Sequence, residues 1–242
     1  MHTQEIVTPN NLHEAEMKAS LLDHWRAMGK ITVTDTIINE FTFNGLNRRI
    51  DLAIVKDNEL IGVEIKSAAD TLERLSGQLK EYGEFFDKIY IFVCEKHENK
   101  CLSLLGAKHE LLVLKGKNIK TVKRGRKQLV SEKLSYIKMM RANELAQLLK
   151  RNNEKSNLKG RKQLEALALN LPKSQLRKSS FLCLKHRFYD SSLEFWKTLN
   201  ENVTVSNIHS LQRNRTNAKK RLRKDSISNT IKNGSWSTRN HL

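Results

Sequence analysis

Two short runs constrain this chain more than any other feature: Arg49-Ile50-Asp51-Leu52-Ala53-Ile54-Val55 and Leu60-Ile61-Gly62-Val63-Glu64-Ile65-Lys66. Apart from isolated charges, both are apolar at successive positions, the pattern of strands covered on both faces. The polar turn Lys56-Asp57-Asn58 between them predicts a hairpin. Side chains alternate along a strand, so Glu64 and Lys66 share one face while Val63 and Ile65 take the other. Asp51 lies on the neighbouring strand, where pairing brings its carboxylate beside that of Glu64. A lone D…ExK spacing is short, and charges on strands ordinarily face solvent. Here the flanking residues argue for burial, and a buried acid–acid–lysine cluster is costly unless it is used. Two adjacent carboxylates repel, and a hard divalent cation such as Mg²⁺ or Mn²⁺ relieves the repulsion. Such a cation can activate water against a phosphodiester, with an ammonium alongside to orient that water and stabilise the growing charge.

The surrounding pattern predicts a sheet with helices on it. Met17, Leu21, Trp25 and Met28 recur at helical spacing over residues 12–28, with Gly29 as a stop. Strands are expected at 31–43, 48–55, 60–66, 88–93, 110–114 and 118–123. A short helix is expected around 97–106. Asp70, with Glu73 three residues on, reads as the N-cap of a helix whose apolar stripe is Leu72, Leu75, Leu79, Tyr82 and Phe86. The expected fold class is α/β: a mixed central sheet flanked by helices, followed by basic helices over 131–151, 160–170 and 172–188.

Charge divides the chain. Residues 1–114 carry 13 Lys+Arg against 18 Asp+Glu, whereas 115–242 carry 31 against 8, and the whole is +18. An acidic half suits cations and a basic half suits phosphates, so nucleic acid is the expected partner, DNA ahead of RNA. Runs such as Lys123–Lys127 and Lys219–Lys224 suit phosphate contacts, and no zinc finger or recognition helix is evident. The expected division is a catalytic domain over 1–124, a basic helical nucleic-acid-binding region over 125–203, and a basic tail over 204–242 too polar to fold alone. Cys94, Cys101 and Cys183 match no zinc spacing and form no disulfide framework. No run reaches membrane-spanning length and no secretory signal is evident, so a cytoplasmic protein is expected, with no membrane partner. The oligomeric state stays open, a homodimer included.

Gln78 and Tyr82 stand four apart, on one helical face. With Asp51, Glu64 and Lys66 they resemble the RecB-like branch of the PD-(D/E)XK nucleases, in which a QxxxY helix follows the ExK strand and borders the active site. Packing alone also accounts for Tyr82. A closer resemblance, over residues 12–114, is to small bacterial proteins assigned as nucleases by pattern. It rests on Glu14, Glu40-Phe41, Arg49-Ile50-Asp51, Glu64-Ile65-Lys66-Ser67, Asp70 through Gln78, and Phe86-Asp87-Lys88-Ile89-Tyr90. The resemblance implies a restriction-endonuclease-like fold with Mg²⁺ or Mn²⁺ held by Asp51, Glu64 and the Ile65 carbonyl. It implies that Lys66 positions the attacking water and that Gln78 and Tyr82 arrange the strand or the lysine. Glu14, inside the apolar stripe of the first helix, is the candidate for the glutamate that many of these enzymes bring to the metal; Glu40 and Ser67 are weaker candidates. An iron–sulfur centre, which some relatives carry, lacks its four cysteines here. The expected activity is metal-dependent hydrolysis of DNA. The alternative is a non-cleaving nucleic-acid adaptor or regulator on the same scaffold. An RNA-binding structural protein would leave the acidic half unexplained.

Overall fold

The computed structural model describes residues 13–42, 49–153 and 160–212. Its centre is a six-stranded sheet in sequence order: β1 (Thr36–Thr42), β2 (Arg49–Val55), β3 (Leu60–Lys66), β4 (Lys88–Cys94), β5 (His109–Lys115) and β6 (Asn118–Lys123). β1, β2 and β3 pair antiparallel, β3, β4 and β5 parallel, and β6 returns antiparallel. The parallel pairs need crossovers, supplied by α2 (Leu75–Tyr82) and by a 3-10 turn leading into α3 (Glu98–Leu104). The fold is α/β, as the alternation of elements predicts.

Period-2 patterning splits the sheet residues between two cores. Val63, Ile65, Tyr90 and Phe92 face α1 (Glu14–Ala27), whose Met17, Leu21 and Trp25 are fully buried. Leu60, Ile89, Ile91 and Val93 face the other way, against Leu75, Leu79, Tyr82 and the later helices. Every residue of β3 is buried, as its apolar run requires.

Residues 115–212 belong to the same compact unit as the rest of the sheet. The first helices after β6, α4 (Lys133–Met139), α5 (Ala142–Arg151) and α6 (Arg161–Ala168), place Tyr136, Ile137, Leu145, Leu149 and Leu164 in the core that also holds α2. The run expected over 131–151 is therefore two helices, parted at Met140-Arg141. The helix expected over 172–188 runs on as α7 (Lys173–Lys197), with Leu176, Phe181 and Leu184 in one core and Phe195 in the other. It passes the open edge of the sheet: the Ile37 amide donates to Ser192 Oγ (3.0 Å) and the Trp196 indole donates to the Asp35 carbonyl (3.1 Å). A helix thus covers an edge strand that would otherwise expose unpaired backbone groups.

Two further expectations need correction. Residues 204–212 are not part of an unfoldable tail: α8 (Val205–Ser210) packs Val203, Ile208 and Leu211 with α1, and the Asp23 carboxylate accepts the Val203 amide (2.9 Å). The remainder of that tail, including the 219–224 run, lies outside the described residues. Asp70 does not cap α2, which begins at Leu75 after Arg74. Its carboxylate instead turns back to accept the Ser67 amide (2.8 Å) and the Ser67 hydroxyl (2.6 Å), closing the loop that follows β3.

Candidate active site

The β2–β3 ladder ends at Leu52↔Val63, one step short of the Asp51 and Glu64 positions. There β2 leaves β3, and the Asp51 side chain takes over the acceptor role, receiving the Ile65 amide at Oδ2 (2.6 Å). A backbone irregularity accompanies the splay. Glu40, on β1, is left-handed (φ 55°), while the register on either side, Asn39↔Leu52 and Phe41↔Ile50, is unchanged. The inversion switches which residues face inward, so Ile38 and Phe41 enter the same core on β1, as do Ala53 and Ile50 on β2. Ile50 can do so because Gly62 has no side chain: a Cβ there would lie 2.6 Å from Ile50 Cδ1 and 2.9 Å from Phe86 Cγ.

Glu64 is the hub. Its Oε1 accepts from Lys66 Nζ (2.8 Å) and from Gln78 Nε2 (2.5 Å), and its Oε2 lies 3.0 Å from the Tyr82 hydroxyl. Glu64 and Lys66 are 1% and 6% exposed. The Tyr82 hydroxyl is also 2.8 Å from the Arg49 carbonyl oxygen and 3.3 Å from Gln78 Nε2. Burial, reinforced by the Glu64 charge, drives the Tyr82 pKa upward, so the phenol remains a donor. With Nε2 committed to Glu64, Gln78 Oε1 is left buried without a hydrogen-bond partner. A carboxylate facing the amide sets that orientation, since the reverse would oppose two acceptors.

The half-buried Asp51 carboxyl is held well above the ordinary carboxylate range. Burial is the main cause, followed by the negative charges of Glu64 and Glu14; the Ile65 amide and the Lys18 ammonium oppose it. Glu14 therefore acts on the site from the opposite layer, α1, while Gln78 and Tyr82 act from α2. The expected residues Asp51, Glu64, Lys66, Gln78 and Tyr82 form one connected cluster, and Glu14 lies within electrostatic reach of it. Glu40 instead makes an exposed ion pair with Arg49 (3.0 Å), and Ser67 gives its hydroxyl to Asp70.

Oxygen donors crowded with surplus negative charge suit a hard divalent cation by their chemistry. Among the described residues no three His, Cys, Asp or Glu side chains converge as a preformed metal shell. At Glu64 the Lys66 ammonium occupies one carboxylate oxygen. Sequence reasoning missed Lys18. Its spacing of four from Glu14 on a helix was the available signal.

Much of the Lys123–Lys127 run is engaged within the protein. Lys123 Nζ donates to the Gly106 carbonyl (2.6 Å), and Lys127 Nζ lies 3.4 Å from Glu59 Oε1. The backbone at Arg126 and Gln128 bonds to the Ala107 and Asp87 carbonyls.

Fold and site together define an α/β protein with a mixed six-stranded sheet and a buried acid–lysine cluster where β2 splays from β3. The chain belongs to the bacteriophage P4 protein cII family, whose profile matches residues 8–212. Protein cII of Enterobacteria phage P4 is 30% identical over 200 residues, spanning 81% of this chain and 75% of that protein. A solved structure, a protein of unknown function from Silicibacter pomeroyi, matches 61% of this chain and 97% of its own, with 18% identity and a TM-score of 0.39. Among the described residues no helix is long and apolar enough to cross a membrane.

Proposed function

We propose that the protein is a divalent-metal-dependent nuclease of the PD-(D/E)XK type, hydrolysing phosphodiester bonds in DNA. The observation that carries this reading is the cluster itself. Two carboxylates at neighbouring register positions, Asp51 and Glu64, share a largely buried site with a lysine, although a scaffold without chemistry would gain stability by replacing them with apolar residues. Asp51 and Glu64 would hold Mg²⁺ or Mn²⁺, which supplies Lewis acidity toward the phosphate and a more acidic water. Lys66, once released from Glu64, would orient that water and meet negative charge developing on the phosphate oxygens. Tyr82 and Gln78 hold Glu64 from α2 and prevent it from turning away. The overall charge of +18 would bring a polyanion to the protein.

One observation favours the non-cleaving adaptor. Both Glu64 oxygens are already satisfied within the chain, by Lys66, Gln78 and Tyr82. The test is cleavage of linear duplex, circular duplex and single-stranded DNA with Mg²⁺, Mn²⁺ or EDTA. Asp51→Ala and Lys66→Ala should abolish metal-dependent cutting, a loss on the order of 10³-fold or more. Full activity in Asp51→Ala sinks the nuclease. No cutting by the wild type, with salt-sensitive DNA binding retained, favours the adaptor.

A further inference from the structure

A second charge cluster lies past the C-terminal end of α1, about 20 Å along the helix from Glu14. There the left-handed Gly29 (φ 64°) turns the chain, and the Lys30 amide donates to the Trp25 carbonyl (2.7 Å). The Lys30 side chain folds back over two buried rings, its Nζ 4.6 Å from the centre of Trp25 and 4.1 Å from that of Tyr90. Lys88, on β4, lies 4.8 Å from the same Tyr90 ring and pairs with Glu110 Oε2 on β5 (2.8 Å). Arg124, just past β6, stands 3.8 Å from Glu110 Oε1. Glu110 is 1% exposed, so this carboxylate is a fixed part of the sheet. Glu59, the other acid acting on Lys30, lies 3.4 Å from Lys127 Nζ. His24, whose pKa burial lowers, is uncharged where Lys30 titrates.

The charges do not balance. Lys88 and Arg124 have Glu110, whereas the Lys30 ammonium makes no ion pair or hydrogen bond among the described residues. A half-buried ammonium beside like charges lacks the anion that would offset its lost hydration. Its pKa accordingly falls to about 8, chiefly through burial; Glu110 opposes the fall, and the Lys88 and Arg124 charges add to it. Arg124 is 83% exposed and beyond hydrogen-bond distance of Glu110, so its guanidinium is free to turn to an incoming group. We propose that Lys30, Lys88 and Arg124, gathered about Glu110, form a binding site for a phosphate group, remote from the acid–lysine cluster. Three cations against one carboxylate leave two positive charges, which phosphate offsets. Arg124 supplies a forked donor, and Lys30 supplies the ammonium that has no anion of its own. Inorganic phosphate and the phosphodiester of a nucleic-acid backbone share this chemistry. The site does not depend on the nuclease reading.

The test follows Lys30 itself by nuclear magnetic resonance. The lysines of the full chain are methylated with isotope-labelled formaldehyde, which keeps their charge, and the Lys30 signal is the one absent from Lys30→Arg. With inorganic phosphate present, its pKa should rise from about 8 to about 9 or higher, because a bound anion favours the ammonium. Calorimetry with inorganic phosphate, against chloride at equal ionic strength, measures affinity. Lys30→Met and Arg124→Ala should each weaken binding about tenfold or more, the loss expected when a charged hydrogen bond is removed. Arg124→Ala changes an exposed side chain, so it carries the test if Lys30→Met fails to fold. A duplex oligonucleotide added to the same sample separates the two sources. If it moves the Lys30 signal, and Arg124→Ala lowers the salt dependence of DNA binding by about one charge, the group is a backbone phosphate. If inorganic phosphate alone moves the signal, the site takes small phosphorylated molecules. A Lys30 pKa that phosphate leaves in place, unchanged affinity in Arg124→Ala, or no saturable phosphate binding by the wild type overturns the proposal. The result stands whether or not the wild type cuts DNA.

Discussion

At the residue scale, the buried negative charge of Asp51 is a source of destabilisation within the candidate site. Asp51 has a folded pKa above the unfolded value, so the folded state holds that proton more tightly. As pH rises from the ordinary carboxylate range through the folded pKa, the protein gives up stability that it has at lower pH. Replacing Asp51 with Asn keeps an oxygen for the Ile65 amide and removes the charge. Asp51→Asn should therefore raise the melting temperature in EDTA near neutral pH, and under the nuclease proposal it should also abolish metal-dependent cleavage. An unchanged or lower melting temperature there would show that the carboxylate is not strained.

At the element scale, two features hold the site elements in place. Gly62 lets Ile50 and Phe86 close over β3, and both neighbours are core side chains with little room to move. Gly62→Ala should cost about 1–3 kcal/mol in urea unfolding, the range for overpacking a filled core. The second feature joins α7 to the sheet. Arg177 makes a two-pronged pair with Asp87 (2.9 and 2.8 Å), whose Oδ2 also accepts the Leu60 amide at the start of β3 (2.8 Å). The guanidinium also donates to the Asn58 carbonyl and stacks on Phe181. Arg177→Ala leaves a fully buried carboxylate without its counter-ion, so a loss of about 3–5 kcal/mol is expected. A loss below 1 kcal/mol would show that water takes the place of the arginine.

At the scale of the whole molecule, His109 on β5, outside the acid–lysine cluster, is expected to contribute to acid sensitivity. The Gly106 amide donates to His109 Nδ1 (3.1 Å), which leaves the ring proton on Nε2, a buried atom without a partner. Burial, with the charges of Lys108 and Lys123 behind it, lowers the His109 pKa to about 4. The unfolded chain takes up this proton near pH 6.5, so stability falls as pH drops from about 6.5 to 4, by about 3 kcal/mol at most. His109→Phe should flatten that limb of a stability–pH curve measured by chemical unfolding. An unaltered limb would assign the acid sensitivity to other groups.

What the sequence determined alone is what local periodicity encodes. The strand boundaries of β3 and β6, the placement of Glu64 and Lys66 on one face and the pairing of Gln78 with Tyr82 all follow from alternation by two or by three to four. Those rules concern neighbours in the chain, so they need no knowledge of distant residues. The tertiary structure decided the rest. The Asp51–Ile65 contact at the splay, the Lys18–Asn39 hydrogen bond and the use of α7 to cover β1 join residues 14 to more than 150 positions apart. Charge alone does not tell which basic side chains are used inside the fold and which are left to solvent. Lys123, Lys127 and Arg177 are partly spent on carbonyls and carboxylates of the acidic half, because an ammonium or guanidinium is attracted to whichever anion or dipole the fold brings near it.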